Sequence, residues 1–185
     1  MNLANFFTIL RVLMIPVFMG VYYIEFPWHQ LVASGIFLLA CLTDWLDGYT
    51  ARKLNQRSRF GAVLDPVGDK MLVTITLVIL AASYPSPWYV IPAAIIVARE
   101  VMVSALREWM AENGQRDLVA VGTVGKVKTT FQMLALIVLL ATDPTGAVWL
   151  WGTGYLLVHV AAGLTLWSLW TYLRSAWPLL KSGMK

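Results

Sequence analysis

Six long apolar stretches follow one another along the chain, roughly Phe6–Tyr23, His29–Leu54, Gly61–Ser83, Trp88–Ala111, Lys126–Ala141 and Val148–Leu173. Most reach the roughly 20 residues a helix needs to cross a hydrocarbon core of about 30 Å. Turn-forming residues punctuate them at Pro27, Pro85-Ser86-Pro87 and Asp143-Pro144-Thr145-Gly146. No internal repeat interrupts the series. The pattern predicts an all-α integral membrane protein of six transmembrane helices, with residues 1–185 as a single membrane-embedded domain.

Composition supports that solvent. Of 185 residues, 59% are hydrophobic and 13% charged, and mean hydropathy is +0.69. Soluble domains carry about 25% charged residues, so a water-facing surface of ordinary composition is excluded. The lone cysteine, Cys41, rules out an intramolecular disulfide and reads as a small buried hydrophobe. The first stretch is long, contains Arg11 and lacks a small-residue cleavage site after it, so it is expected to remain as a helix.

Charge is distributed unevenly, and this sets orientation. The fourteen Lys and Arg gather at Arg52–Lys70, Arg99–Lys128 and the C-terminus, with Arg11 near the start. The connections 24–28, 84–87 and 142–147 have none. The positive-inside rule puts both termini and the polar linkers in the cytoplasm, as in a multi-pass protein of a bacterial inner membrane. Trp28, Trp88, Trp149 and Trp151 fall at the outer ends of spans, and Trp109, Trp167, Trp170 and Trp177 approach the inner ends, as interfacial anchors do. No nucleic-acid partner is expected.

Four carboxylates do not belong in such a chain. Asp44 and Asp47 sit at i,i+3 late in the second stretch, and Asp65 and Asp69 at i,i+4 early in the third. Either spacing puts a pair on one helix face. Asp44 follows His29 by fifteen positions, or about 23 Å, which is toward the cytoplasmic surface and within reach of lipid phosphates. Asp65 before Pro66 can be read as an N-cap. Capping cannot explain Asp44 and Asp47, which lie near a helix C-terminus where the macrodipole disfavours negative charge. Intramembrane acids are costly and usually functional. An all-oxygen cluster suits a hard divalent ion, Mg²⁺ or Mn²⁺, and phosphoryl chemistry commonly uses two ions about 4 Å apart. Gly48, Ala51 and Gly61 accompany the acids and leave room for a flat group near the backbone; helix packing is the competing explanation.

Together these residues, Asp44-x-x-Asp47-Gly48-x-x-Ala51-Arg52-x8-Gly61-x3-Asp65-x3-Asp69, resemble the signature of the CDP-alcohol phosphotransferases, whose architecture is likewise six spans with the motif bridging the second and third. The resemblance implies that Asp44, Asp47, Asp65 and Asp69 surround two metal ions and that Asp69 is also the general base. It implies that Gly48, Ala51, Arg52 and Gly61 accept the CDP moiety, with Arg52 on the diphosphate, and that the protein is a homodimer. Asn5-x-x-Thr8-x-x-Arg11 resembles a motif of the phosphatidylglycerophosphate synthase branch that helps bind the nucleotide, although Ala4 and Phe7 replace the frequent Pro and Leu. Ala98-Arg99-Glu100, Arg107-Glu108-Trp109 and Gly125–Gln132 resemble the same branch.

Such an enzyme takes CDP-diacylglycerol and glycerol 3-phosphate, and the acceptor carries its own dianion. Arg99, Arg107, Lys126 and Lys128 are the candidates to bind that phosphate. Arg99 is the deepest and needs an anionic partner, either Glu100 or Glu108 in the protein or the substrate itself. Serine, inositol phosphate or phosphatidylglycerol as acceptor, and a divalent-cation transporter, are the rival readings. The absence of a repeat and the off-centre acids count against transport. His29 and His159 carry no catalytic expectation.

Overall fold

The computed structural model describes residues 3–54, 59–112 and 123–183, with side-chain detail for 9–43, 67–112, 125, 127–177 and 181. Six helices account for nearly all of it: α1 (Leu3–Tyr23), α2 (His29–Leu54), α3 (Arg59–Ser83), α4 (Pro87–Glu112), α5 (Thr123–Leu140) and α6 (Val148–Gly183). No strand occurs among the described residues. Starts and stops fall within a few residues of the predicted stretches, except that α6 continues well past Leu173.

The breaks form where turn chemistry dictates. Trp28 holds a left-handed φ of 73°, uncommon for a bulky residue, and its carbonyl accepts the Val32 amide at 3.0 Å as α2 begins. Between α5 and α6, the Thr145 amide and hydroxyl both donate to Asp143 Oδ1 at 2.7 Å, and Gly146 N donates to Asp143 O at 2.9 Å. The hydroxyl and amide bonds hold the Asp143 carboxyl below its usual range. His29 and His159 bond backbone carbonyls of Phe26 and Tyr155 through Nδ1, which fits structural roles for both.

The helices divide into two compact units, Met1–Ser83 with Leu136–Gly154, and Tyr84–Ala135 with Tyr155–Lys185. In the first, α1 packs on α2 and α3. Phe18 and Phe37 are fully buried, with ring centroids 6.2 Å apart. Tyr22 Oη donates to Ser83 Oγ at 2.8 Å, and Ser34 Oγ to the Ile137 carbonyl at 2.9 Å. In the second unit, Tyr84, Tyr89 and Tyr155 cluster with centroids 5.9 to 6.1 Å apart, above a core that includes Ile96, Val103, Met110, Val158 and Ala161.

Pairings within each unit fix helix directions. Arg11 meets Asp69 and Tyr22 meets Ser83, so α1 and α3 run parallel. Tyr89 meets Tyr155, Arg99 meets Ser168 and Arg107 meets Tyr172, so α4 and α6 also run parallel. A chain crossing back and forth gives alternate helices the same direction.

Around these apolar cores the outer surface is also rich in large apolar side chains, and several polar or charged ones are buried. Leu13, Val17, Leu39, Val78, Ile91, Val101 and Leu156 are exposed, while Arg11, Thr76, Arg99, Lys128, Gln132 and Thr165 are buried. An outer surface this apolar suits a lipid surrounding better than water. Among the described residues, two helices, Pro87–Glu112 and Val148–Trp177, are long and apolar enough to cross a bilayer, with shorter apolar helices at Ile9–Tyr23, His29–Thr43 and Val127–Leu140.

One close contact in the first unit has no slack. A Cβ on Gly154 would lie 2.5 Å from Leu139 Cγ and 2.6 Å from Cδ2, and Leu139 is completely buried. Small residues permit such approaches between membrane helices. Gly154→Ala is expected to destabilise the protein by about 1–3 kcal/mol through overpacking, read as a lower unfolding temperature in detergent. In a Leu139→Ala background the same change should cost little.

Candidate functional site

Arg11 stands in α1 among Ile9, Leu10, Val12 and Leu13 and has no exposed surface. A guanidinium stays charged at any ordinary pH, so burial obliges it to face an anion. Its Nη1 donates to Asp69 Oδ1 of α3 at 2.5 Å. At this crossing Gly68 of α3 faces α1, and a Cβ there would sit in ordinary contact, 3.6 Å from Val12 and 3.9 Å from Arg11 Cδ. The pair is lopsided: the Asp69 side chain is 42% exposed. The cation is therefore an internal anchor, and the carboxylate faces outward on it.

Asp69 is the member of the predicted aspartate set whose side chain is described. Asp44, Asp47, Gly48, Ala51 and Arg52 lie on α2, Gly61 and Asp65 on α3, and Asn5 and Thr8 on α1. Their side chains lie outside the described residues, as does that of Lys126 on α5. The backbone is helical at all of these positions, so the helical spacings used to pair the acids apply. Because α3 begins at Arg59, Asp65 is inside the helix, which removes the N-cap reading. Among the described residues no group of three acidic, His or Cys side chains stands together. The donor chemistry nevertheless fits a hard divalent ion: Asp69 offers a carboxylate that solvent can reach, held by a fixed cation.

The second unit holds a different cluster. Arg99 is 6% exposed and Lys128 3%. Glu100 Oε1 accepts both, from Lys128 Nζ at 2.5 Å and from Arg99 Nη1 at 3.1 Å. Arg99 Nη2 donates to Ser168 Oγ of α6 at 2.7 Å, and its Cζ lies 5.5 Å from the centre of the Tyr172 ring. Arg107 joins through the same tyrosine, with Nη2 donating to Tyr172 Oη at 2.6 Å and Cζ 5.3 Å from the ring centre. Cations over an aromatic face are attracted by its quadrupole. Of the two protein anions expected for Arg99, Glu100 is the partner found.

This cluster is not neutral. Among the described residues, the buried Arg99 and Lys128 face a single carboxylate, that of Glu100. Three buried polar atoms in this unit, Arg99 Nε, Gln132 Oε1 and Thr165 Oγ1, have no hydrogen-bond partner among the described residues. Gln132 lies one turn beyond Lys128 on α5, and Thr165 nearly one turn before Ser168 on α6. Buried polar groups are almost always satisfied, and exceptions call for a ligand, an ion or water. Excess positive charge with an orphaned donor suits an anion rich in oxygen.

The sequence reading missed Ser168 and Tyr172, and it did not pair Arg11 with Asp69. A buried arginine in an apolar span signals that a partner must exist, but which helix supplies it depends on packing.

A family model, CDP-alcohol phosphatidyltransferase, matches residues 1–170. The chain belongs to this family. It is 49% identical over 183 residues to the CDP-diacylglycerol–glycerol-3-phosphate 3-phosphatidyltransferase of Pseudomonas fluorescens, covering 98% of this chain and 93% of that protein. It is 50% identical over 175 residues to the enzyme of the same name from Salmonella paratyphi A (95% and 94% covered), and 49% identical to that of Escherichia coli K12 (95% and 94% covered). Family membership, with two helices able to cross a bilayer, makes this chain a membrane transferase.

The Arg11–Asp69 geometry predicts a graded response. Asp69→Ala removes an anionic partner from a buried cation and is expected to cost about 1–3 kcal/mol. Asp69→Asn keeps an oxygen acceptor for Nη1 and should cost less than half of that. Thermal unfolding of both variants in detergent measures the difference.

Proposed function

We propose that this protein transfers the phosphatidyl group of CDP-diacylglycerol to the 1-hydroxyl of glycerol 3-phosphate, giving phosphatidylglycerol phosphate and CMP in phospholipid biosynthesis. The observation that carries the reading is near-50% identity, over almost the whole chain, to proteins named for this reaction. The second unit's buried, net-positive cluster supports it, because an acceptor with its own phosphate needs cations beyond those serving the diphosphate.

Asp44, Asp47, Asp65 and Asp69 are the residues to hold two divalent ions, Mg²⁺ or Mn²⁺. When bound, these supply charge neutralisation at the diphosphate and the departing CMP. Arg52 binds the diphosphate, and Asn5, Thr8, Gly48, Ala51 and Gly61 accommodate the rest of CDP. Asp69 takes the proton from the acceptor hydroxyl. That oxygen bonds to the β-phosphorus as the bond to CMP breaks, and CMP leaves with the electron pair. The Arg11 ion pair keeps the Asp69 carboxylate in one orientation for that transfer. Arg99, Arg107, Lys126 and Lys128 bind the acceptor phosphate.

All six helices serve as spans of one membrane domain, with both termini and the reaction on the cytoplasmic side of a bacterial inner membrane, and two copies associate as a homodimer. The placement of Lys and Arg supports this orientation, and the parallel α1/α3 and α4/α6 pairs suit alternating spans.

Label transfer by the purified protein in detergent tests the reading, with CDP-diacylglycerol, Mg²⁺ and glycerol 3-phosphate, inositol phosphate or serine in parallel. Transfer to glycerol 3-phosphate alone, abolished by EDTA and by Asp69→Asn in folded protein, is expected. Transfer only to another acceptor would overturn the substrate assignment, and an active Asp69→Asn variant would overturn the base. Lys126→Ala is expected to raise the glycerol 3-phosphate KM about tenfold or more, the loss of one charge-assisted hydrogen bond, with the CDP-lipid KM little changed. Equal changes in both constants would remove Lys126 from the acceptor site.

A further inference from the structure

Two cations of the second unit are held in very different ways. Arg99 is fixed on several sides, by Ser168 Oγ at 2.7 Å, by the Tyr172 ring at 5.5 Å and by Glu100 at 3.1 Å. Lys128 has one partner among the described residues, Glu100 Oε1 at 2.5 Å, although its side chain is 96% covered. Its ammonium ends a four-carbon stem with many rotamers, and it carries the same charge as the neighbouring guanidinium. Without Glu100, nothing described would keep Lys128 beside Arg99, and their mutual repulsion would drive it away.

Glu100 is suited to prevent this. It follows Arg99 directly on α4, and one oxygen of its carboxylate receives both heads. Its side chain is 22% exposed, so it lies at the edge of the buried cluster rather than at its centre.

We propose that Glu100 is a positioning residue: through Oε1 it holds the Lys128 ammonium against the anchored Arg99 guanidinium, so that the acceptor's phosphate meets a preformed pair of cations. This rests on the reading of Arg99 and Lys128 as acceptor-phosphate ligands. Preorganisation of this kind moves the cost of ordering a flexible side chain from binding to folding. A carboxylate that simply competed with phosphate for the same cations would have the opposite effect, because removing it would strengthen phosphate binding.

Initial rates of the purified enzyme in detergent separate these cases. KM for glycerol 3-phosphate and for CDP-diacylglycerol, with kcat, would be measured for wild type, Glu100→Gln, Lys128→Ala and the double variant. The expected result is a glycerol 3-phosphate KM about tenfold higher in Glu100→Gln, with the CDP-lipid KM and kcat within about twofold of wild type. The double variant should be no worse than Lys128→Ala alone, because Glu100 acts through Lys128. A lowered or unchanged KM in Glu100→Gln, or effects that multiply in the double variant, would overturn the proposal while leaving the acceptor-phosphate assignment intact. An unchanged glycerol 3-phosphate KM in Lys128→Ala would instead overturn that assignment, and the positioning role with it. Should Glu100→Gln not yield monodisperse protein, Glu100→Asp keeps the charge but shortens the arm. A clear rise in glycerol 3-phosphate KM is expected there, and a wild-type value overturns the proposal.

Discussion

A positive charge inside a protein whose outer surface is hydrocarbon-like is held only by facing an anion. Arg11, Arg99 and Lys128 are each at least 94% covered, and each is bonded to a carboxylate on its own or a neighbouring helix. Breaking such a pair strands a charge, which costs far more than the pair itself gains. Helix packing in both units must therefore respect these contacts. The crossing of α1 over α3 brings Arg11 to Asp69. In the second unit, Glu100 ties α4 to α5, and Arg99 and Arg107 tie α4 to α6. In the absence of a hydrophobic drive between helices in lipid, polar contacts and close packing of small residues such as Gly154 carry more of the burden.

Much of this was legible before the structure. Hydropathy and turn residues located the six described helices, because long apolar runs favour helix and Pro, Gly, Asn and Asp favour the turns between them. The end of α6 was not located, and the reason is physical. Arg174 and Ser175 interrupt the apolar run but not the helix, because charged and polar residues are tolerated in a helix and no strong breaker stands there, so α6 continues to Gly183. The aspartates were legible as out of place for a helix in lipid, and the spacing of their signature narrowed the chemistry.

Partners were the illegible part. Glu100 and Glu108 were both candidates for Arg99, the first adjacent in sequence and the second nine positions on. Glu100 is the partner found, and Lys128 arriving from α5 makes its one carboxylate serve two cations. Ser168 and Tyr172 carried no signal at all, because a serine and a tyrosine on an apolar span are ordinary packing residues until an arginine faces them. Arg11 drew notice as part of an N-terminal motif, yet its pairing with Asp69 required knowing that α1 lies along α3.

The two clusters use one device with the roles reversed. In the first unit the cation is wholly buried and the carboxylate is 42% exposed, so the fixed charge orients the reachable one. In the second, the carboxylate stands at the margin at 22% exposure and gathers cations that are 7% and 4% exposed. A reaction joining a diphosphate lipid to a phosphorylated alcohol needs both polarities. Anionic oxygens must be held ready for a divalent ion and a proton, and cations must be held ready for a second phosphate. Neither set can be left flexible in a low-dielectric interior, where like charges that drift together repel strongly and unlike charges that drift together neutralise one another. Fixing each charged group against a partner of opposite sign, while leaving a surplus on one side, is the arrangement that keeps both sets charged and distinct.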